Sequence, residues 1–165
     1  MQTIILPGYS LKNKDWAEQV KQELGSETRV VYWPHWENPE TKTDWEQLAS
    51  ELAAKNTEEV NIVAKSVGTL VAMLLLRNGV KIKKLVLCGV PVIDFQEGDE
   101  KLFDALKGFP SENILCIQNE NDNHGSFVEV EKFLHSINPQ IKIVSKPRDD
   151  HEYYYSEDFK QFLAP

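Results

Sequence analysis

The chain has 165 residues, with 18 basic and 26 acidic side chains and a formal net charge of -8 at pH 7. A chain of this length is most simply one domain, residues 1–165, that buries a real hydrophobic core. The acidic balance argues against a nucleic-acid backbone or an anionic membrane surface as the partner. The first apolar run, residues 1–6, is too short for a secretory signal, and no run approaches the roughly 20 residues that span a bilayer. We therefore expect a cytoplasmic protein.

The predicted elements alternate between strands and helices along the chain. Runs rich in Ile, Val and Leu predict strands at residues 3–6, 29–33, 60–64, 84–90, 113–118 and 141–145. Apolar residues at helical spacing predict helices around residues 16–24, 45–52, 70–76, 102–106, 127–137 and 159–163. Capping boxes Thr43-x-x-Glu46 and Ser126-x-x-Glu129 mark two helix starts. This alternation is typical of an α/β protein with a mostly parallel sheet of about six strands and helices on both faces.

The third predicted strand runs through Ala64-Lys65-Ser66-Val67-Gly68 into an apolar helix. A serine on a sharp strand-to-helix turn is exposed as a nucleophile, and the residues two before and two after it must be small because the turn is tight. Ala64 and Gly68 meet that requirement. Serine is also a favoured helix N-cap, so Ser66 has a purely structural alternative as the cap of this helix.

Further candidates follow other predicted strands, whose carboxyl ends meet at one edge of a parallel sheet. Asp122 follows the fifth strand and His151 follows the sixth. The order Ser66, Asp122, His151 is one of three known chain orders for a serine, histidine and acid triad. Asp122 has the alternative of an ordinary Asx turn, and Glu120 is a second candidate acid. His124 is a second candidate base, although it follows Asp122 too closely for the usual order.

On these residues the chain resembles the α/β-hydrolase superfamily, in particular its small, nearly cap-less serine hydrolases of the retinoblastoma-binding-protein type. The resemblance extends from Ile4-Ile5-Leu6-Pro7-Gly8, through Trp16 and Trp33-Pro34, to the Ser66 turn and the last histidine. It implies an α/β-hydrolase fold with a minimal cap. Two positions depart from the family pattern. Ala64 stands where glycine is commonest, and Lys65 stands where many members have histidine or another neutral residue.

The resemblance also implies a division of roles. Ser66 would attack the substrate, His151 would take its proton, and Asp122 would hold the imidazole in the productive tautomer. The amides of Tyr9 and Val67 match the family positions that stabilise the oxyanion. No cofactor and no metal ion is required.

Substrate-binding candidates are Trp33, at the end of the second predicted strand, Trp36, just beyond it, and Lys65 beside the serine. The tryptophans have the alternative of covering the core. Lys65 would either help an anionic substrate dock or point to solvent. Cys88 and Cys116 lie in predicted buried strands and are expected to be reduced core thiols.

The leading hypothesis is a serine hydrolase that cleaves a small ester, or an amide or thioester, through a Ser66 acyl-enzyme. The segment between the fourth and fifth strands is too short for a large lid and holds only a short helix around residues 102–106, so the site should be open and favour small or exposed acyl groups over long lipid chains. One alternative is a catalytically weak protein of the same fold that binds a small ligand or a protein partner. A flavodoxin-like binder fits the alternation, but the chain lacks a phosphate loop after the first strand.

Overall fold

A single six-stranded sheet, all parallel, forms the centre of the protein. A computed structural model describes the whole chain, Met1–Pro165. The strands are β1 (Thr3–Leu6), β2 (Thr28–Val30), β3 (Val60–Lys65), β4 (Ile82–Cys88), β5 (Ile114–Asn119) and β6 (Lys142–Lys146). They are adjacent in the order β2-β1-β3-β4-β5-β6, which confirms the expected fold class. From β1 the chain continues to β2 at one edge of the sheet, whereas from β3 it continues through β4 and β5 to β6 at the other edge. A crevice therefore opens between the carboxyl ends of β1 and β3, where the order of the strands reverses.

Seven helices cover the sheet. They are α1 (Asn13–Leu24), α2 (Pro34–Glu37), α3 (Trp45–Lys55), α4 (Val67–Arg77), α5 (Asp99–Leu102), α6 (Phe127–Ile137) and α7 (Ser156–Leu163). Helices α3, α4 and α6 pack on one face of the sheet, where Ile62 and Ala64 of β3 point. Helices α1 and α7 pack on the other face with Val63. The side chains of β3 therefore alternate between two cores, as a strand requires. None of the helices has the length and apolar character needed to cross a membrane.

Local boundaries differ from the sequence prediction at three places. Strand β2 ends at Val30 rather than at residue 33, because Trp33 precedes the short helix α2, in which Pro34 occupies the first turn. Strand β4 ends at Cys88, since Gly89 adopts a φ of 58°. Helix α3 is capped by the side chain of Asp44, so the predicted box starting at residue 43 is wrong. The capping box at the start of α6 is confirmed.

The turn between β3 and α4 has strained backbone at Ser66. Its φ of 54° and ψ of -122° make it the only residue other than glycine with a positive φ. Gly68 lies directly against the end of β1, where an added Cβ atom would sit 2.0 Å from the carbonyl oxygen of Leu6. Only glycine fits at that distance, because the opposing atom belongs to the backbone. The close contact therefore fixes Ser66 at the edge of the crevice between β1 and β3.

The connection from β4 to β5 contains no long helix. It consists of α5 and three 3-10 turns, Val92–Asp94, Phe103–Gly108 and Ser111–Asn113. These short elements pack against α4, α6 and β4, and none of them is longer than six residues. The expected minimal cap is thus confirmed.

Candidate active site

Ser66 lines a cavity of about 630 Å³ at the carboxyl edge of the sheet. Apolar side chains form most of its wall, namely Trp45, Val67, Leu70, Leu74, Phe95 and Leu102. Its carboxylate and imidazole side chains belong to Asp94, Asp99, His124 and His151, and no lysine or arginine lines it. A partly apolar cleft with a few convergent polar groups is the usual form of a small-molecule site.

A buried carboxylate and a histidine meet beside this cavity. The Nδ1 atom of His151 lies 2.6 Å from Oδ2 of Asp122, whose side chain is fully buried. The Tyr153 hydroxyl donates to the same oxygen at 2.5 Å, and the His124 amide donates to Oδ1 at 2.8 Å. The carboxylate thus has three donors.

These contacts set the protonation of Asp122. Burial alone would raise the pKa of its carboxyl group, but the hydrogen bonds from His151, Tyr153 and the His124 amide favour the charged form. The net result is a pKa below the ordinary value. Burial raises the pKa of Tyr153, with Asp122 adding to the shift, so its hydroxyl stays neutral and donates.

The ionised carboxylate in turn determines the tautomer of His151. Since a carboxylate only accepts hydrogen bonds, Nδ1 must carry the proton that faces Asp122. The Nε2 atom of a neutral His151 is then a free acceptor. This nitrogen is buried and has no hydrogen-bond partner within the chain. Because His151 and Ser66 line the same cavity, the ring nitrogen is suited to accept a proton there.

The structural alternatives for Ser66 and Asp122 have different outcomes. Ser66 occupies the N-cap position of α4, but its side chain makes no capping hydrogen bond, so helix capping does not explain the serine there. Asp122 does form an Asx-type turn through the His124 amide. The turn uses Oδ1 while Oδ2 faces His151, so a single carboxylate serves both purposes.

The alternative acid and base lie elsewhere. Glu120 is exposed, and the two histidine ion pairs are formed by Asp94 and Asp122 instead. His124 forms its own pair, with Nδ1 2.5 Å from Oδ2 of Asp94. That pair is open to solvent, with side-chain exposures of 39% for His124 and 52% for Asp94. The His124 and His151 rings lie 4.3 Å apart, so the two histidine and aspartate pairs are adjacent, and both histidines line the cavity.

The loop after β1 brings a backbone amide to the same cavity. Trp33 is fully buried, and its indole N–H donates to the Gly8 carbonyl at 2.9 Å. Because C=O and N–H point in opposite directions across a trans peptide, this bond directs the Tyr9 amide away from Trp33. The Tyr9 amide donates to no group in the chain. The Val67 amide begins α4, where the first-turn amides have no intrahelical acceptor.

The aromatic residues near α2 have a different place from the one predicted. Neither Trp33 nor Trp36 lines the cavity. Trp36 donates through its indole N–H to the Tyr9 carbonyl at 2.7 Å, and His35 Nε2 lies 2.7 Å from the same oxygen. The prediction of direct substrate contact for the two tryptophans is therefore corrected. They hold the loop that contains Tyr9, because their indole N–H groups are satisfied only by its carbonyls.

Lys65 is also corrected as a substrate contact. Its side chain is 4% exposed, lies outside the cavity lining and donates to Asn13 Oδ1 at 2.7 Å. As the neighbour of Ala64 on β3, it points to the opposite face of the sheet.

Cys88 and Cys116 are free and buried, and burial raises the pKa of both thiols. Neither thiol is therefore activated as a nucleophile.

Two residues that the sequence analysis did not single out hold the loop of His151. The Asn119 side chain donates to the carbonyls of Asp150 and Glu152, both at 2.9 Å. Gly89 leaves room for the imidazole, since an added Cβ atom would sit 2.9 Å from Cε1 of His151. In the sequence, only one feature marks Asn119: it is a polar residue at the end of a buried strand.

The sequence places this chain in a known family. Residues 3–148 match the model of the family described as Serine hydrolase, and the chain belongs to that family. The matched region includes Ser66 and Asp122, whereas His151 lies just beyond it. No curated protein shows significant sequence similarity to the chain.

Solved structures with similar folds are distant in sequence. A lidless α/β serine hydrolase from Xanthomonas campestris, XC6422, has a TM-score of 0.68 and 17% identity, covering 98% of this chain and 80% of that one. TT1662 from Thermus thermophilus has a TM-score of 0.66 and 15% identity, covering 98% and 87%. The type II thioesterase BorB from the borrelidin biosynthetic cluster has a TM-score of 0.61 and 16% identity, covering 98% and 89%. At these identities the similarity establishes the fold.

The contribution of the Tyr153 hydroxyl to stability can be tested by replacing the tyrosine with phenylalanine. Tyr153→Phe removes one donor to Asp122 and the acceptor of the Asn119 amide, and should lower the free energy of unfolding by about 2 kcal/mol at neutral pH. Because the folded pKa of Asp122 is depressed, its stabilising contribution is present above the unfolded pKa and lost as pH falls through the folded pKa. The variant raises the folded pKa, so its deficit should shrink at acid pH. Urea unfolding at neutral and acid pH measures this.

Tyr155→Phe is the matched control. The Tyr155 hydroxyl donates to Oδ1 of Asn119 and does not contact Asp122. Its removal should cost stability by an amount that does not depend on pH in the acid range. Equal pH dependence for the two variants would contradict the assigned role of the Tyr153 hydroxyl.

Proposed function

We propose that the protein cleaves esters by forming an acyl-enzyme at Ser66, with His151 as the proton carrier and Asp122 as its orienting acid. One observation supports this most strongly. A serine with strained backbone shares a cavity with a histidine whose Nδ1 faces a buried carboxylate and whose Nε2 is unpaired. A buried nitrogen without a partner costs stability, so its presence beside a serine favours a catalytic purpose.

In the proposed first step, Oγ of Ser66 attacks the ester carbonyl carbon while Nε2 of His151 removes the hydroxyl proton. The carbonyl oxygen becomes an oxyanion, for which the amides of Tyr9 and Val67 are the available donors. Asp122 stabilises the imidazolium that forms. The intermediate then collapses, His151 returns the proton to the leaving alcohol, and the acyl group stays on Ser66.

In the second step a water molecule attacks the acyl-enzyme carbonyl, and His151 takes one proton from that water. The same two amides would stabilise the second oxyanion. Collapse of this intermediate breaks the bond between the acyl carbon and Oγ, and His151 returns the proton to Ser66. The products of this step are the carboxylic acid and the free enzyme, with Ser66 and His151 back in their starting protonation states. No cofactor takes part in either step.

The lining of the cavity supports a substrate class. Leu70, Leu74, Phe95 and Leu102 offer an apolar wall for an acyl group, and the absence of lysine and arginine gives no partner for an anionic one. The volume of about 630 Å³ suits a small or medium-sized molecule. The proposed substrate is therefore a neutral ester with a short to medium apolar acyl chain.

The nucleophile can be tested directly with a fluorophosphonate probe. We expect the purified protein to acquire a covalent adduct on Ser66, mapped by mass spectrometry, and Ser66→Ala to lose it. Ser10→Ala is a matched control, because Ser10 is another serine in the cavity lining, and this variant should still be labelled on Ser66. A folded protein without label on Ser66 would contradict the proposal and favour a ligand-binding role.

Acyl preference tests the substrate class. With nitrophenyl esters, kcat/KM should rise from acetate through butyrate to hexanoate, because each buried methylene contributes up to about 0.8 kcal/mol, and it should fall for palmitate. Leu70→Asp should lower the ratio of hexanoate to acetate activity by introducing a charge into the apolar wall. Val128→Asp, on an exposed side chain outside the cavity, should not change that ratio. A steady rise up to palmitate would contradict the assigned chain length.

A further inference from the structure

Lys65 is a buried lysine that directly precedes the proposed nucleophile, Ser66, in the sequence. The proposed reaction does not use it. Side chains on β3 alternate, so Ala64 faces the α4 side of the sheet and Lys65 faces the α1 side. Its ammonium group lies over the ring of Trp16, 5.5 Å from the ring centroid. The sequence position beside Ser66 therefore does not bring the charge into the cavity.

The main partner of Lys65 connects it to the loop of Tyr9. Its Nζ donates to Oδ1 of Asn13 at 2.7 Å, and Nδ2 of Asn13 donates to the Ser10 carbonyl at 3.0 Å. The Asn13 carboxamide also lies against Gly8, where an added Cβ atom would be 2.6 Å from Oδ1. Asn13 thus contacts the residues on both sides of Tyr9.

A second partner connects Lys65 to the loop of His151. Nζ of Lys65 lies 3.7 Å from Oε2 of Glu152, the residue that follows His151. The Glu152 side chain is half exposed, so this ion pair is weaker than the bond to Asn13. The ammonium group of Lys65 is therefore linked to the loops that contain Tyr9 and His151, and Lys65 itself precedes Ser66.

The environment of Lys65 is costly for a charge. Burial lowers the pKa of its ammonium group, and the nearby carboxylates of Glu152 and Asp122 oppose that effect. Replacing a buried charge and its partners by an apolar side chain of similar size is often neutral or stabilising. Stability alone is therefore a poor explanation for a lysine at this position.

We propose that Lys65 is a positioning residue, which acts through Asn13 to hold the Tyr9 amide in register with Ser66. This inference rests on the proposed function, because Tyr9 matters only if an oxyanion forms at Ser66. Since β3 fixes one end of the link and α1 fixes the other, the Lys65 to Asn13 bond restrains the Tyr9 loop from the β3 side, in addition to the bonds from Trp33 and Trp36. A misplacement of about 1 Å at such a site costs up to about 100-fold in rate.

The test compares ester hydrolysis and thermal unfolding in Lys65→Met, Asn13→Ala and the double variant. Each single variant should lower kcat about tenfold to 100-fold with little change in KM, because the Tyr9 donor acts on the transition state. The double variant should be no worse than the more impaired single variant, since both substitutions break the same link. Lys65→Met should change the unfolding temperature little, because Glu152 is half exposed and Asn13 lines the cavity, so that water can satisfy both partners after the ammonium group is removed.

Lys84→Met is the matched control. Lys84 is a lysine of the same sheet whose Nζ donates to the backbone carbonyls of Phe162 and Ala164, remote from the cavity. Its replacement should lower the unfolding temperature and leave kcat unchanged. The comparison separates a loss of packing from a loss of positioning. Asn13→Ala keeps the inference testable if Lys65→Met does not fold.

The outcomes distinguish two failures. An active wild type with unchanged kcat in Lys65→Met and Asn13→Ala, or with fully additive losses in the double variant, would overturn the positioning role while the proposed function stands. A wild type that neither hydrolyses esters nor carries probe on Ser66 would overturn the proposed function, and the inference with it. Losses of kcat that are equal in the two single variants and not additive support the inference.

Discussion

The contact between Gly68 and the Leu6 carbonyl is the constraint on which the rest of the site depends. With only 2.0 Å available for a Cβ atom, β1 and the start of α4 approach as closely as backbones can. That approach forces the left-handed conformation of Ser66 and brings the loop after β1 beside it. The same contact places the start of α4 beside the loop after β1, and Val67 and Tyr9 line one cavity. A larger residue at position 68 would separate all of these groups together.

Burial distinguishes the two histidine and aspartate pairs in the cavity. Asp122 is enclosed and receives three hydrogen bonds, so its charge and the orientation of His151 are fixed before any substrate binds. Asp94 and His124 are partly exposed, where solvent competes for the same hydrogen bonds. A preorganised pair stabilises developing charge without reorientation, which an exposed pair does not. The two pairs look alike in sequence and differ in their environment.

Much of the fold could be predicted because the signals are local. Ile- and Val-rich runs of four to seven residues between amphipathic helices specify a parallel sheet, and small residues around Ser66 specify the turn. The meeting of Asp122 with His151 follows from the rule that parallel strands end at one edge. These features depend on chain order and need no knowledge of side-chain direction.

The predictions of substrate contact are wrong for residues whose contacts depend on the direction in which the side chain points. Trp33 and Trp36 are near the site in sequence, but the short helix α2 turns their indole N–H groups toward the carbonyls of Gly8 and Tyr9. Lys65 is adjacent to Ser66, yet strand alternation sends it to the other face of the sheet. That alternation was visible in the sequence and could have excluded Lys65 from the pocket. Tyr153 could not be found, because its bond to Asp122 depends on the path of the loop after β6.

We propose that the buried pair, and not the exposed one, serves Ser66. The most direct measurement is kcat/KM for ester hydrolysis in His151→Ala and His124→Ala, each checked for folding by circular dichroism. Both substitutions remove one imidazole from the same cavity, and the His124 amide that holds Asp122 is kept in the second variant. We predict a loss of about 1000-fold or more for His151→Ala and less than about tenfold for His124→Ala. Equal losses, or a larger loss in His124→Ala, would contradict the account.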